Sequence, residues 1–252
     1  MRQTLLVIAT IMGCAVNASA DRLLIPMDQS QRNHLKAYGA AFWALERGAL
    51  VEWLLNYRGG SFLLQADQLI EREVQIRGVD ASRISESRAA TIYAEVDRGN
   101  MEVVRLEKAP KIAIYTPPNS QPWDDAVTMA LEYAQIDYEK IWDEDVLNGK
   151  LSEFDWLHLH HEDFTGQYGK FYQSERHRPW YQEQQRLYEV WARRLGFQKV
   201  SRLKKQVART IRTYVEQGGF LFAMCSATDT FDIALSAKGT DIVHEVYDGD
   251  PA

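Results

Sequence analysis

Apolar residues in this chain fall into two kinds of run, and the two alternate. Residues 29–47 put Leu35, Tyr38, Phe42 and Leu45 at helical spacing, which predicts a helix with one apolar face, and Gly48 supplies a stop. Residues 50–57 alternate Val51, Trp53 and Leu55 at the period of a strand and run into Arg58-Gly59-Gly60-Ser61, a turn. A helix is expected over 66–77, a mixed segment over 85–96, and a charged surface crossing over 100–108. A second cycle starts at residue 109. Short apolar runs predict strands near 111–116, 138–142, 154–160 and 219–224. Between them, 123–135 and 179–195 read as helices, the latter with Pro179 at its first position. Leu203, Val207, Ile211 and Val215 line one face of a further helix, on which Arg202, Lys204, Lys205 and Arg209 read as a solvated basic face. A strand is also expected over 241–247. Apolar strands separated by helices imply parallel pairing with right-handed crossovers. The fold class is therefore α/β with a parallel sheet, preceded by a smaller α/β region. Ligands in such sheets bind beyond the carboxyl ends of the strands. That directs attention to 58–61, 116–121, 158–169 and 225–229.

The first twenty residues read as an address. Met1-Arg2-Gln3 is a short positive start, 4–16 is almost wholly apolar, and Ala18-Ser19-Ala20 offers small residues for cleavage before Asp21. The apolar run is too short to span a bilayer. The expectation is an exported chain, periplasmic or extracellular, with no transmembrane segment once mature. The alternative uses Ile11-Met12-Gly13-Cys14 as a lipoprotein-type box, with Cys14 lipidated. The chain has two Cys, so removal of the leader leaves Cys225 alone and excludes an internal disulfide. Hydrophobic residues are 46% and charged residues 25%, an ordinary globular composition. A formal charge of -6 argues against nucleic acid as a partner. The aromatic stretch with Tyr168, Phe171, Tyr172, Trp180, Tyr181 and Tyr188 suits either stacking on a sugar or peptide or core packing.

Cys225 carries the strongest chemical signal. It follows the apolar run Phe220-Leu221-Phe222-Ala223-Met224 directly, and Ser226-Ala227-Thr228-Asp229 then opens a helix. Strand, Cys, helix is the order of a nucleophile elbow, in which a sharp turn exposes the sulfur and the helix N-terminus favours thiolate and oxyanion. An inert Cys at a strand end is the competing reading. The second signal is His158-Leu159-His160-His161-Glu162-Asp163, at a strand end entering a loop with Gly166 and Gly169. His158 and His160 share a strand face. Standard zinc spacings are absent, so neither metal nor cofactor is expected. These groups instead line the cleft, with Glu162 or Asp163 orienting a substrate. Arg58-Gly59-Gly60-Ser61 is either an anion cradle or a plain turn.

Gly218-Gly219-Phe220-Leu221-Phe222-Ala223-Met224-Cys225-Ser226-Ala227-Thr228 resembles the elbow region of the class I glutamine amidotransferase-like superfamily, and Lys111-Ile112-Ala113-Ile114-Tyr115 resembles that domain's first strand. Where the superfamily has Gly-x-Cys-x-Gly, this chain has Ala223 and Ala227. Asn33-His34-Leu35-Lys36-Ala37-Tyr38-Gly39 and Leu54-Leu55-Asn56-Tyr57-Arg58-Gly59-Gly60-Ser61 resemble exported bacterial proteins labelled asparagine synthetase B. No Ser-Gly-Gly-x-Asp-Ser-type loop for ATP pyrophosphate is present, so the likeness is to a fold and not to asparagine synthesis. The resemblance implies a leader over 1–20, an N-terminal region over 21–108, and a flavodoxin-like domain over 109–252. It also implies a C-terminally incomplete domain, whose usual base would lie beyond residue 252; the only His after Cys225 is His244. Two functions follow. One is a Cys-dependent hydrolase of an amide-like C–N bond in a small-molecule, glycan or peptide substrate. Cys225, His160 and Glu162 would be catalytic there, and His161, Asp163, Ser226 and Arg58 would bind substrate. The other is a non-catalytic module on the same fold, binding a ligand such as a carbohydrate.

Overall fold

The computed structural model of the chain describes residues 21–120, 125–166 and 169–251. The expected leader with Cys14, the expected helix start at Trp123, Tyr168 and the side chain of Phe171 lie outside that description. The chain divides into two compact units after Glu107. No helix among the described residues is long and apolar enough to cross a membrane.

The first unit contains β1 (Arg22–Ile25), α1 (His34–Glu46), β2 (Val51–Leu55), β3 (Ser61–Gln65), α2 (Gln68–Ile76), β4 (Ser82–Ile84), α3 (Glu86–Arg98) and β5 (Glu102–Leu106). Its strands form one sheet in the order β4-β1-β3-β2-β5, and every pairing is antiparallel. The α/β region expected here is built on this antiparallel sheet: consecutive strands β2 and β3 form a hairpin, which needs only a tight turn. Asn56 and Arg58 adopt left-handed φ of 62° and 45°, followed by Gly59 and Gly60. The charged 100–108 segment is not a surface crossing, since β5 pairs with β2. The predicted face of α1 is also corrected. Leu35 and Tyr38 are exposed, and Ala37, Ala40, Ala41 and Ala44 are buried. Small residues let a helix approach a sheet closely. Val51, Phe62 and Leu64 pack with those alanines and with Ile70 and Val74 of α2. Leu54 and Leu63 pack on the opposite face with Ala89, Ile92 and Val96 of α3.

The second unit contains β6 (Ile112–Tyr115), α4 (Ala126–Ala134), β7 (Glu139–Ile141), α5 (Asp143–Leu147), β8 (Trp156–Leu159), α6 (Gly169–Glu175), α7 (Pro179–Arg194), α8 (Val200–Glu216), β9 (Phe220–Ala223), α9 (Cys225–Ser236) and α10 (Glu245–Asp248). Its strands form a parallel sheet in the order β7-β6-β8-β9. Ala113, Tyr115, Leu157 and Leu159 meet Leu203, Val207 and Ile211 of α8 and Ala227 of α9 in one core. Residues 241–247 are not a strand. His244 caps α10 by accepting the Val246 N–H (3.2 Å), and Lys199 ion-pairs with Asp248 (2.9 Å). Lys204 is not on a solvated face either: it is 2% exposed.

Candidate functional site

Three elements of the second unit bring side chains to the carboxyl edge of the parallel sheet. The strand order reverses at β6, so β6 and β8 flank the switch point, the position at which open parallel sheets bind ligands. β8 delivers His158 within the strand and His160 just past it. β9 ends at Ala223, and Cys225 opens α9. Asp125 caps the start of α4.

Cys225 adopts φ 51°, a left-handed conformation that a side chain other than Gly adopts at a cost. The surroundings impose it. The Met224 N–H donates to Leu159 O (2.9 Å), continuing the β8–β9 ladder, and three residues later the Ala227 N–H donates to His160 O (3.0 Å). The chain must turn from strand to helix between those two bonds, and Cys225 takes the turn. Its side chain is exposed. The Ser226 hydroxyl donates to His161 O (3.0 Å) and the Thr230 hydroxyl to Glu162 O (3.0 Å), which pins the His loop to α9.

Cys225 Sγ, a ring nitrogen of His160 and a ring nitrogen of His161 all lie within 4.8 Å of one another. The two imidazoles stack with centroids 3.6 Å apart. His160 Nδ1 donates to Asp125 Oδ2. A carboxylate only accepts, so this bond places the proton on Nδ1 and leaves the Nε2 lone pair available. Asp125 is itself fixed as the N-cap of α4: its Oδ1 accepts from the Val127 N–H (2.6 Å) and the Thr128 N–H (3.0 Å). Burial pushes the Asp125 carboxyl up. The bonds from Thr128 and His160 outweigh that, and hold it below the usual carboxylate range. Asp125 was not among the residues expected from sequence. An Asp directly before an amphipathic run is the signature of a helix N-cap. That signal marks the residue, but not its approach to His160 from 35 positions away.

His158 is fully buried, 3.9 Å from Asp125 and stacked on Phe222. Neither of its ring nitrogens reaches a hydrogen-bond partner among the described residues. Burial pushes its pKa down and favours the neutral ring. Glu162 turns its carboxylate back to accept from the His160 N–H (3.3 Å). Burial pushes that carboxyl up to about 7. Asp163 Oδ1 accepts from the Thr165 N–H (2.8 Å) and hydroxyl (2.5 Å), shaping the loop. The loop then closes on Gly166, whose φ of 77° favours glycine and where a Cβ would meet Ser201 N at 2.8 Å. Arg58 belongs to the first unit, where it bonds Asp28 (2.6 Å) and Ser30 (3.0 Å).

A buried polar cluster lies near Glu162. Lys204 Nζ donates to Asp143 (2.9 and 3.0 Å) and to the Tyr115 hydroxyl (2.8 Å), which in turn donates to Asp143. The ammonium also lies 3.8 Å from the centre of the Trp142 ring. Burial, then the Asp143 charge, push the Tyr115 phenol well above its ordinary value. In the aromatic stretch, Tyr181 is buried, Trp180 is exposed, and Tyr188 packs on Trp142. No protein-family model, curated protein or solved structure matches the chain.

Proposed function

We propose that the second unit is a cysteine hydrolase domain acting on an amide-like C–N bond. Cys225 is the nucleophile, His160 the base, and Asp125 the group that orients His160. The observation that carries this is the placement of Cys225 Sγ within 4.8 Å of a His160 ring nitrogen, with that ring bonded to Asp125 Oδ2. Nucleophile, base and orienter within reach of one another is the general pattern of activated nucleophiles. The left-handed φ of Cys225 adds support, because strained backbone clusters at functional sites. The β7-β6-β8-β9 order matches the first four strands of the flavodoxin-like order, which favours the amidotransferase-like reading. We carry the likeness to the exported group labelled asparagine synthetase B as part of the same proposal, and with it an exported location.

In the reaction, His160 Nε2 takes the Cys225 proton and the thiolate attacks the carbonyl carbon. The tetrahedral oxyanion meets first-turn amides of α9 other than that of Ala227, which His160 O occupies. Collapse breaks the C–N bond, and the leaving amine takes the proton from His160. Water then hydrolyses the thioester, with His160 taking and returning its proton. A base outside residues 1–252 is not required by this scheme, which differs from what the resemblance implies.

The test is iodoacetamide labelling of the native chain near neutral pH, with the modified site located by peptide mass. Cys225 should label rapidly, and His160→Ala should slow labelling by an order of magnitude or more. Labelling of Cys225 only after denaturation would defeat the proposal.

A further inference from the structure

We propose that His160, His161 and Cys225 form a chelating site for a zinc-type divalent metal, and that its occupancy silences Cys225. Two imidazoles and a thiol are the donor set that borderline-soft metals take. Their donor atoms already lie within 4.8 Å of one another. Tetrahedral zinc, with bonds of about 2.0–2.3 Å, needs its donors about 3.4–3.8 Å apart. The closure required is therefore roughly 1 Å, and His161 and Cys225 are both exposed side chains that can supply it.

Two further features point the same way. The His160 ring is held by a carboxylate through Nδ1, so Nε2 is the coordinating nitrogen. A carboxylate behind a ligating imidazole fixes its tautomer and raises its basicity. The loop carrying both histidines is bound to α9 by Ser226 and Thr230 and by the Ala227 N–H, so the donors do not drift apart. The second constellation of donors, Asp125, His158 and His160, is the weaker candidate. There a metal would have to break the Asp125–His160 bond and enter around a fully buried His158. At the outer site three protein donors leave a fourth position for water. Binding exchanges the Cys225 thiol proton for the metal, and the proton leaves to solvent. Chelation needs only the donors. The silencing rests on the reading of Cys225 as a nucleophile.

The experiment is a titration of Co2+ into the full chain carrying Cys14→Ser, in which Cys225 is the sole thiol, with a thiol-free reductant present. One Co2+ per chain should bind, with a sulfur-to-cobalt charge-transfer band, and Zn2+ should displace it. C225S should abolish the band. H161A removes an exposed ring and leaves the core intact; it should weaken binding at least tenfold. D125N should lower affinity about 10- to 100-fold. Zinc should also block iodoacetamide labelling of Cys225, and a chelator should restore it. Absence of the band, or a band indifferent to H161A, overturns the metal site. Rapid labelling of the metal-free chain with no cobalt band would leave the hydrolase standing alone. A cobalt band with Cys225 inert in the presence of chelator would defeat the hydrolase and keep the metal.

Discussion

Asp125 does two jobs with two oxygens, and substitutions can separate them. Oδ1 caps α4 and Oδ2 holds His160. Asparagine caps as well as aspartate does, whereas alanine forfeits the cap at about 1 kcal/mol. Asp125→Asn should therefore leave the melting temperature nearly unchanged. It should still slow Cys225 labelling, because an amide no longer supplies the charge that holds His160 in the required tautomer. Asp125→Ala should lose both. Equal labelling rates for wild type and Asp125→Asn would remove Asp125 from the site. Lys204 is the other residue whose environment decides its effect. Its ammonium is buried with Asp143 and Tyr115. Lys204→Met would strand the Asp143 charge, and removing one partner of a buried pair costs about 3–5 kcal/mol. Urea denaturation should show a loss of that order. A loss under about 1 kcal/mol would mean that water reaches Asp143.

At the scale of elements, the turn from β9 to α9 holds strain in its backbone, and glycine is the residue that relieves it. A non-glycine residue in the left-handed region costs roughly 1–2 kcal/mol. Cys225→Gly should thus be more stable than Cys225→Ala by about 1 kcal/mol, measured by thermal or chemical unfolding, and both should be inert to labelling. Equal stability would mean that the φ of 51° is not a strained state there. The same turn illustrates what was legible beforehand. The run 220–224 followed by Cys225 and polar residues marks both the strand and its abrupt end. An unbroken apolar run is conspicuous, and it marks the strand even though β9 lies at the sheet edge with Phe220 and Phe222 exposed. The antiparallel unit hides better. β5 reads Glu-Val-Val-Arg-Leu because an edge strand keeps charges toward water, and β3 is a five-residue strand entered through a left-handed turn. On α1 bulk is not the mark of burial: Leu35 and Tyr38 are exposed, and its alanines make the contact. Lys204 shows the converse, a charge inside an otherwise apolar face. Cys225, His160 and His161 could be found from sequence since each stands beside a strand end. Asp125 could not, since its role depends on α4 starting beside β8.

Across the whole molecule, the exposed apolar surface is not evenly spread. Phe220 and Phe222 on β9 and Met224 just past it alternate along the chain and are 60%, 43% and 36% exposed. β9 is also the last strand in its sheet, so one side of its backbone is unpaired among the described residues. An exposed apolar edge strand is a template for pairing with another chain. The net charge of -6 over 252 residues offers only modest repulsion against such contact. The chain should therefore associate as its concentration rises, and association should grow with salt as that repulsion is screened. The place to test this is Phe220 and not Phe222, because Phe222 stacks on the buried His158 and its loss would disturb the site. Phe220 touches Trp156 by one ring edge and otherwise faces solvent. A lysine there is a common guard of natural sheet edges. Phe220→Lys should lower the apparent mass at high concentration in light scattering or sedimentation, while Cys225 labels at its original rate. Unchanged association in that variant would show that β9 is not the contact.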